Sequence, residues 1–166
     1  MTGFGFNSSE YGKAALGYLA LKDLLGEELF KSSLREFMAR WNGKHTLPWD
    51  MFNSFNSASG KDLNWFFNNW YFSNGYIDLA IQDVTPSTAG YTLTIKNIGG
   101  FAVPVNVVAT YNDGSAEIFH QTPAIWAADQ KQAVVQINTQ KKIRALTLDG
   151  GIFMDADETN NKWQQK

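Results

Sequence analysis

The chain has 166 residues, of which 44% are hydrophobic and 18% charged, enough apolar content to close a core and too much for intrinsic disorder. Its 14 basic and 16 acidic residues leave a net charge of -2, which argues against a dedicated nucleic-acid or anionic-membrane binder. With no cysteine, disulfides and thiolate-ligated zinc or iron–sulfur centres are excluded, while the redox compartment stays open.

No apolar run approaches the ~18–20 residues of a bilayer span, so no membrane crossing is expected. Met1-Thr2-Gly3-Phe4-Gly5-Phe6 has no basic segment followed by a long apolar one, and no signal peptide is expected there. Residues 1–75 hold 16 of the chain's 24 aromatic side chains and read as helix. The string from Tyr11 to Leu25 predicts a first helix, with Ala15, Leu16, Leu19 and Ala20 on one side and Gly26 as its stop. The next helix runs over EELFKSSLREFMARW. Its residues Phe30, Leu34, Phe37, Met38 and Trp41 recur at helical spacing as a broad apolar stripe. Glu27 and Glu28 in its first turn, with Arg35 and Arg40 later, suit the helix dipole.

Asn42-Gly43-Lys44-His45-Thr46-Leu47 breaks the pattern, and Pro48 then suits the first turn of a short helix carrying Met51, Phe52 and Phe55. Ser59-Gly60-Lys61-Asp62 has capping-box spacing ahead of LNWFFNNWYF, a run too short and bulky to be helical without neighbours. Beyond Gly75 the apolar period becomes two. Strands are expected over Tyr91–Asn97, Val103–Tyr111, Ser115–Gln121, Lys131–Asn138 and Ile143–Asp149, with Asn112-Asp113-Gly114 as a hairpin turn. The expected fold is α+β in two segregated parts. An aromatic-rich α-helical segment is followed by an antiparallel β-sandwich of immunoglobulin or fibronectin type, the boundary lying near residues 73–80.

Chemistry-bearing motifs are sparse. His45 and His120 are the only imidazoles and neither has a second histidine at metal-binding spacing, so both read as surface or sheet-face residues. Asp155-Ala156-Asp157-Glu158-Thr159-Asn160-Asn161 alternates oxygen ligands, but its sixth position is Asn160 where a calcium loop needs glycine; a solvated turn is the better reading. No serine lies in G-x-S-x-G, and neither Gly99-Gly100 nor Gly150-Gly151 opens a phosphate-binding helix. The aromatics of the first half, at helical spacing, read as core before ligand cleft.

Tyr11-Gly12-Lys13-Ala14-Ala15-Leu16, with the leucine-rich helix and Leu25-Gly26 after it, resembles a segment of the aminopeptidase N-like zinc metallopeptidases, the gluzincin aminopeptidases. Phe30, Leu34, Phe37, Arg40-Trp41, Lys44-His45, Pro48, Asp50, Phe52, Ser59-Gly60, Asp62-Leu63, Trp65-Phe66 and Trp70 extend the likeness in order over roughly residues 8–80. The second half is similar to the β-sandwich that comes after the catalytic domain in that family, on Asn97-Ile98-Gly99, Pro104-Val105, Tyr111-Asn112-Asp113-Gly114 and Asn160-Asn161-Lys162-Trp163. Gly12 and Ala14 depart from the commonest form of the tyrosine motif.

The resemblance implies that residues 1–75 are the C-terminal helical part of a metallopeptidase catalytic domain and residues 76–166 an accessory β-sandwich. It implies an aminopeptidase that removes N-terminal residues from peptides, with zinc bound by an H-E-x-x-H motif and a later glutamate. By position Tyr11 would be the catalytic tyrosine that hydrogen-bonds the oxyanion. None of the zinc ligands is among the residues present, so the fragment is expected to bind no zinc and to be inactive alone. An extracytoplasmic, periplasmic location is what the family suggests. Helices lacking their usual neighbours should leave an apolar surface prone to self-association. The alternatives are a non-catalytic interaction module of helices plus sandwich, and a carbohydrate-binding sandwich using exposed Trp126 or Trp163.

Overall fold

Helix α1 (Ala14–Leu25) ends at Gly26, whose φ of 74° is in the left-handed region, and helix α2 (Glu27–Trp41) starts on the next residue. Helices α3 (Pro48–Ser59) and α4 (Asn64–Tyr71) come next in the computed structural model, which describes residues 12–165. By its contacts the chain separates into two units, Met1–Ser73 and Asn74–Lys166.

In the helical unit Pro48 opens α3, and the Asp50 carboxylate accepts the Leu47 N–H at 2.8 Å, satisfying one orphan donor of the first turn. The start of α4 differs from the capping box expected at Ser59. Leu63 is the N-cap, its N–H donates to Asn56 Oδ1 at 2.8 Å, and Asp62 Oδ1 accepts from Asn64 N. Ser59 belongs to the last turn of α3, where its hydroxyl donates to Asn56 O. Asn56 therefore fixes how α4 leaves α3, a long-range role that a four-residue pattern cannot reveal.

The core of this unit is aromatic. Phe52, Phe55, Phe66, Phe67 and Trp70 are buried, and Phe52 stacks on Phe67 with ring centroids 4.3 Å apart. Burying each such side chain contributes about 1.5–3 kcal/mol, which is what stabilises an α4 of only 8 residues. The buried face of α1 is Gly17, Ala20, Leu21 and Leu25, whereas Ala15 and Leu19 are exposed, so the expected face is corrected. With apolar residues almost all round α1, its partners decide its rotation. These are α2 and α4, and Gly17 is the contact with α4: a Cβ there would lie 3.1 Å from Tyr71 Oη and 3.4 Å from Trp70 Cε3. The α2 stripe is only partly covered. Phe30 meets Phe55 at 5.8 Å, but Met38 is exposed and Ser33 is the buried residue of the helix.

The second unit has strands β1 (Leu79–Ser87), β2 (Gly90–Asn97), β3 (Val105–Tyr111), β4 (Ala116–Gln121), β5 (Gln132–Asn138), β6 (Ile143–Asp149) and β7 (Lys162–Gln164). Antiparallel ladders order them β1-β2-β5 in one sheet and β4-β3-β6-β7 in the other. The chain changes sheet between β2 and β3, between β4 and β5, and again before β6, as the fibronectin-like sandwich expected from the sequence requires.

Strict alternation builds the interior: Leu93 and Ile95 of β2, Val135 and Ile137 of β5, Val107 and Ala109 of β3, and Leu146 of β6 are buried. Tyr91 Oη accepts the Ile143 N–H at 3.4 Å, joining β2 to the start of β6. Trp126, on a short turn over Pro123–Trp126, is fully buried and donates its indole N–H to Val103 O at 2.8 Å. This corrects the expectation that Trp126 is exposed. A buried indole with its one donor satisfied is a core residue and offers no sugar a stacking face.

β1 and β7 are not among the strands expected from periodicity. β1 is mostly exposed, carries Pro86, and has a register shift between Ile81 and Asp83 that breaks the period-two signal. The β3–β4 turn is a three-residue loop: Gly114 N donates to Tyr111 O at 3.1 Å, Tyr111 N to Ser115 O at 2.9 Å, and Gly114 alone has positive φ, 83°. This is a type I turn closed by a left-handed glycine.

Candidate functional site

Tyr11 lies outside the described residues, and its nearest described neighbours in the chain are those that open α1. Lys13 is already helical, with φ of -62° and ψ of -43°, and its ammonium donates to Ser73 O at 3.0 Å. This ties the entry of α1 to the residues just after α4, while partial burial lowers the Lys13 pKa.

One helical turn further on, α1 presents Tyr18, which donates to Met51 Sδ at 3.0 Å. Burial raises its pKa. Tyr71 on α4 is also held neutral, first by burial and then by the neighbouring Tyr18. The Tyr71 hydroxyl is buried with no hydrogen-bond partner among the described residues. Two neutral phenols beside a glycine make a polar inlay in an aromatic core. They can donate hydrogen bonds and, at physiological pH, cannot serve as bases. Sequence spacing marks Tyr18 and Tyr71 only as bulk; the signal that could have found them is Gly17, whose missing side chain leaves room for the Tyr71 phenol.

The residues weighed for metal chemistry stay apart. His45 is exposed in the loop after α2, and His120 is exposed on β4 with Nδ1 2.8 Å from Asn106 Oδ1. Asp155 uses one oxygen on Leu79 N and the other on Asp157 N, both at 2.8 Å, and Asp157 accepts from Thr159 N and Oγ1. That loop is a self-closing turn. Among the described residues no three of His, Cys, Asp or Glu come together as a metal site, and no helix is long and apolar enough to cross a membrane. The described residues therefore do not fit a catalytic zinc.

Residues 3–70 match the sequence profile of the peptidase family M1 domain, a span that contains Tyr11, helices α1 to α3 and α4 up to Trp70. The helical segment is similar to the peptidase family M1 domain. The fold agrees. The crystal structure of Legionella pneumophila aminopeptidase A in complex with aspartic acid is similar to this chain with a TM-score of 0.65 and 21% sequence identity, over 85% of the chain. The chain spans 16% of the length of that neighbour. No curated protein sequence matches it.

Proposed function

We propose that the chain is the C-terminal portion of a zinc-dependent aminopeptidase, which hydrolyses N-terminal residues from peptides when the rest of the enzyme is present. The single observation that carries this reading is the match of residues 3–70 to the M1 domain, taken with a motif, Tyr11-Gly12-Lys13, at the entry of α1. Zinc, its ligands and the general base would come from parts of the parent enzyme that the described residues do not include.

The role proposed for this chain is that of the Tyr11 phenol. In peptide hydrolysis the scissile carbonyl oxygen gains negative charge as the tetrahedral intermediate forms. A hydroxyl aimed at that oxygen stabilises the transition state more than the bound peptide. The Lys13–Ser73 hydrogen bond and the Gly17–Tyr71 contact support the reading, because they hold the first turns of α1 against α4 and the residues just after it. A donor of this kind needs a rigid base.

The test is peptide hydrolysis by the parent enzyme carrying Tyr11→Phe. The expected result is a kcat lowered by about 10²–10³ with KM little changed, the cost typical of one oxyanion donor. Unchanged turnover would remove Tyr11 from the mechanism. The 166-residue chain alone is expected to show no zinc-dependent hydrolysis, and robust activity from it would contradict the fragment reading.

A further inference from the structure

In the three-stranded sheet β5 lies at the end of the order β1-β2-β5, so one of its two margins meets no strand. The ladder shows which backbone groups this leaves over. Lys131 O accepts from Asn97 N at 2.8 Å, and Thr139 N donates to Ala89 O at 3.0 Å. Between these bonds Ala133, Val135 and Ile137 sit opposite Ile95, Leu93 and Tyr91, so the odd-numbered residues turn their backbone towards β2. Gln132, Val134, Gln136 and Asn138 therefore point N–H and C=O away from the sheet. None of those four N–H and four C=O groups has a hydrogen-bond partner among the described residues. The turn over Pro123–Trp126 touches β5, but the backbone bonds it makes stay within the turn.

The devices that guard other edges are missing from β5. β1 has Pro86 and a displaced register, and β4 carries Glu117. From Gln132 to Gln140 the chain has no charge, no proline and no glycine, and Val134 is 55% exposed. An unblocked edge in uncharged, β-branched sequence is a template for another strand.

The strand that fits best is an identical one. Laid antiparallel about a twofold axis at Val135, two β5 strands bring Gln132 opposite Asn138 and Val134 opposite Gln136. Every outward residue of each copy is then paired, at two hydrogen bonds per pair, and no like charges meet between Gln132 and Gln140. The joined sheet has β1 at both ends, where the kink and the proline oppose further addition. Such a contact closes on itself as a pair. We propose that two copies of this chain associate antiparallel through β5, forming one continuous sheet across a twofold axis. The contact involves the sandwich alone and stands whether or not Tyr11 acts in catalysis.

A seam of one strand edge is a small interface, so the experiment is sedimentation equilibrium of the 166-residue chain from about 10 µM to about 1 mM. Amide hydrogen exchange, read by ¹H–¹⁵N NMR, covers the same range. The expected result is a monomer–dimer equilibrium in which exchange at the Gln132, Val134, Gln136 and Asn138 amides slows about tenfold as the dimer fills. Val134→Lys should weaken the dimer about tenfold by setting two ammonium groups across the seam. Val134→Pro should abolish it, because the N–H it removes bonds nothing in the monomer and an edge strand tolerates proline there. Val134→Lys alters no backbone group, so it decides the matter should the proline variant lose its dispersed spectrum. A monomer at every concentration, assembly past two copies, or a dimer that both variants leave unchanged would overturn the proposal. So would slowed exchange confined to the helices or to Ala116 and Ile118, which would put the contact on the helical unit or on β4.

Discussion

Gly17→Ala sets two effects of opposite sign against each other. Replacing a glycine inside α1 should gain about 1 kcal/mol from helix propensity. The added methyl, however, would sit 3.1 Å from Tyr71 Oη, closer than ordinary van der Waals contact, and overpacking of this kind costs about 1–3 kcal/mol. The net expectation is destabilisation by about 1 kcal/mol.

The geometry says which atom is responsible. Without the Tyr71 hydroxyl the nearest neighbours are Trp70 Cε3 at 3.4 Å and Tyr71 Cζ at 3.5 Å, both at ordinary separations. In a Tyr71→Phe background the same Gly17→Ala change should therefore stabilise by about 1 kcal/mol, a coupling of about 2 kcal/mol across the cycle. Urea unfolding of all four proteins, followed by circular dichroism at 222 nm, measures this directly. If Gly17→Ala costs the same in both backgrounds, or stabilises the parent chain, the contact between α1 and α4 has been misread.

Tyr71→Phe by itself removes a buried hydroxyl that has no partner among the described residues, and should stabilise the helical unit by about 1 kcal/mol in the same urea assay. Because burial raises the Tyr71 pKa above its ordinary value near 10, its neutral form contributes stability that is complete below pH 10 and is lost as pH climbs through the folded-state value. Helical stability measured from pH 8 to 12 should accordingly fall less steeply in the phenylalanine variant; parallel curves would refute the assignment. Trp126→Phe forfeits the 2.8 Å bond to Val103 O and leaves a void, at a cost of about 2–4 kcal/mol. Thermal unfolding should show this in the β-sandwich transition, and a melting temperature unchanged within a degree would show that the indole is not what closes that core.

Sequence is most informative where one face of an element meets water and the other a core. The alternation of β2 and β5 and the turn residues Asn112-Asp113-Gly114 are legible because period and backbone chemistry are local. The rotation of α1 is not: Ala15, Leu16, Leu19, Ala20 and Leu21 leave almost no polar face, and only a partner on another helix selects Gly17 and Leu21 for burial. Trp126 escapes for the same reason, since its burial depends on an acceptor, Val103 O, 23 residues away in the chain. Nor can spacing show that Ser59 closes α3 while Asn56 holds the entry to α4. In the loop before β7, Asp155 and Glu158 are visible as one acidic run. That Asp155 is engaged by the backbone of Leu79 appears only in the fold.

The outermost strand of the three-stranded sheet, with its displaced register beyond Ile81 and its proline at position 86, also governs how these molecules behave in a crowd. A straight, fully armed margin would invite a neighbouring copy to add its own strand and begin a stack. A ribbon that kinks midway and lacks one donor near its end makes a poor template, so the sandwich can be concentrated without seeding fibres from that side.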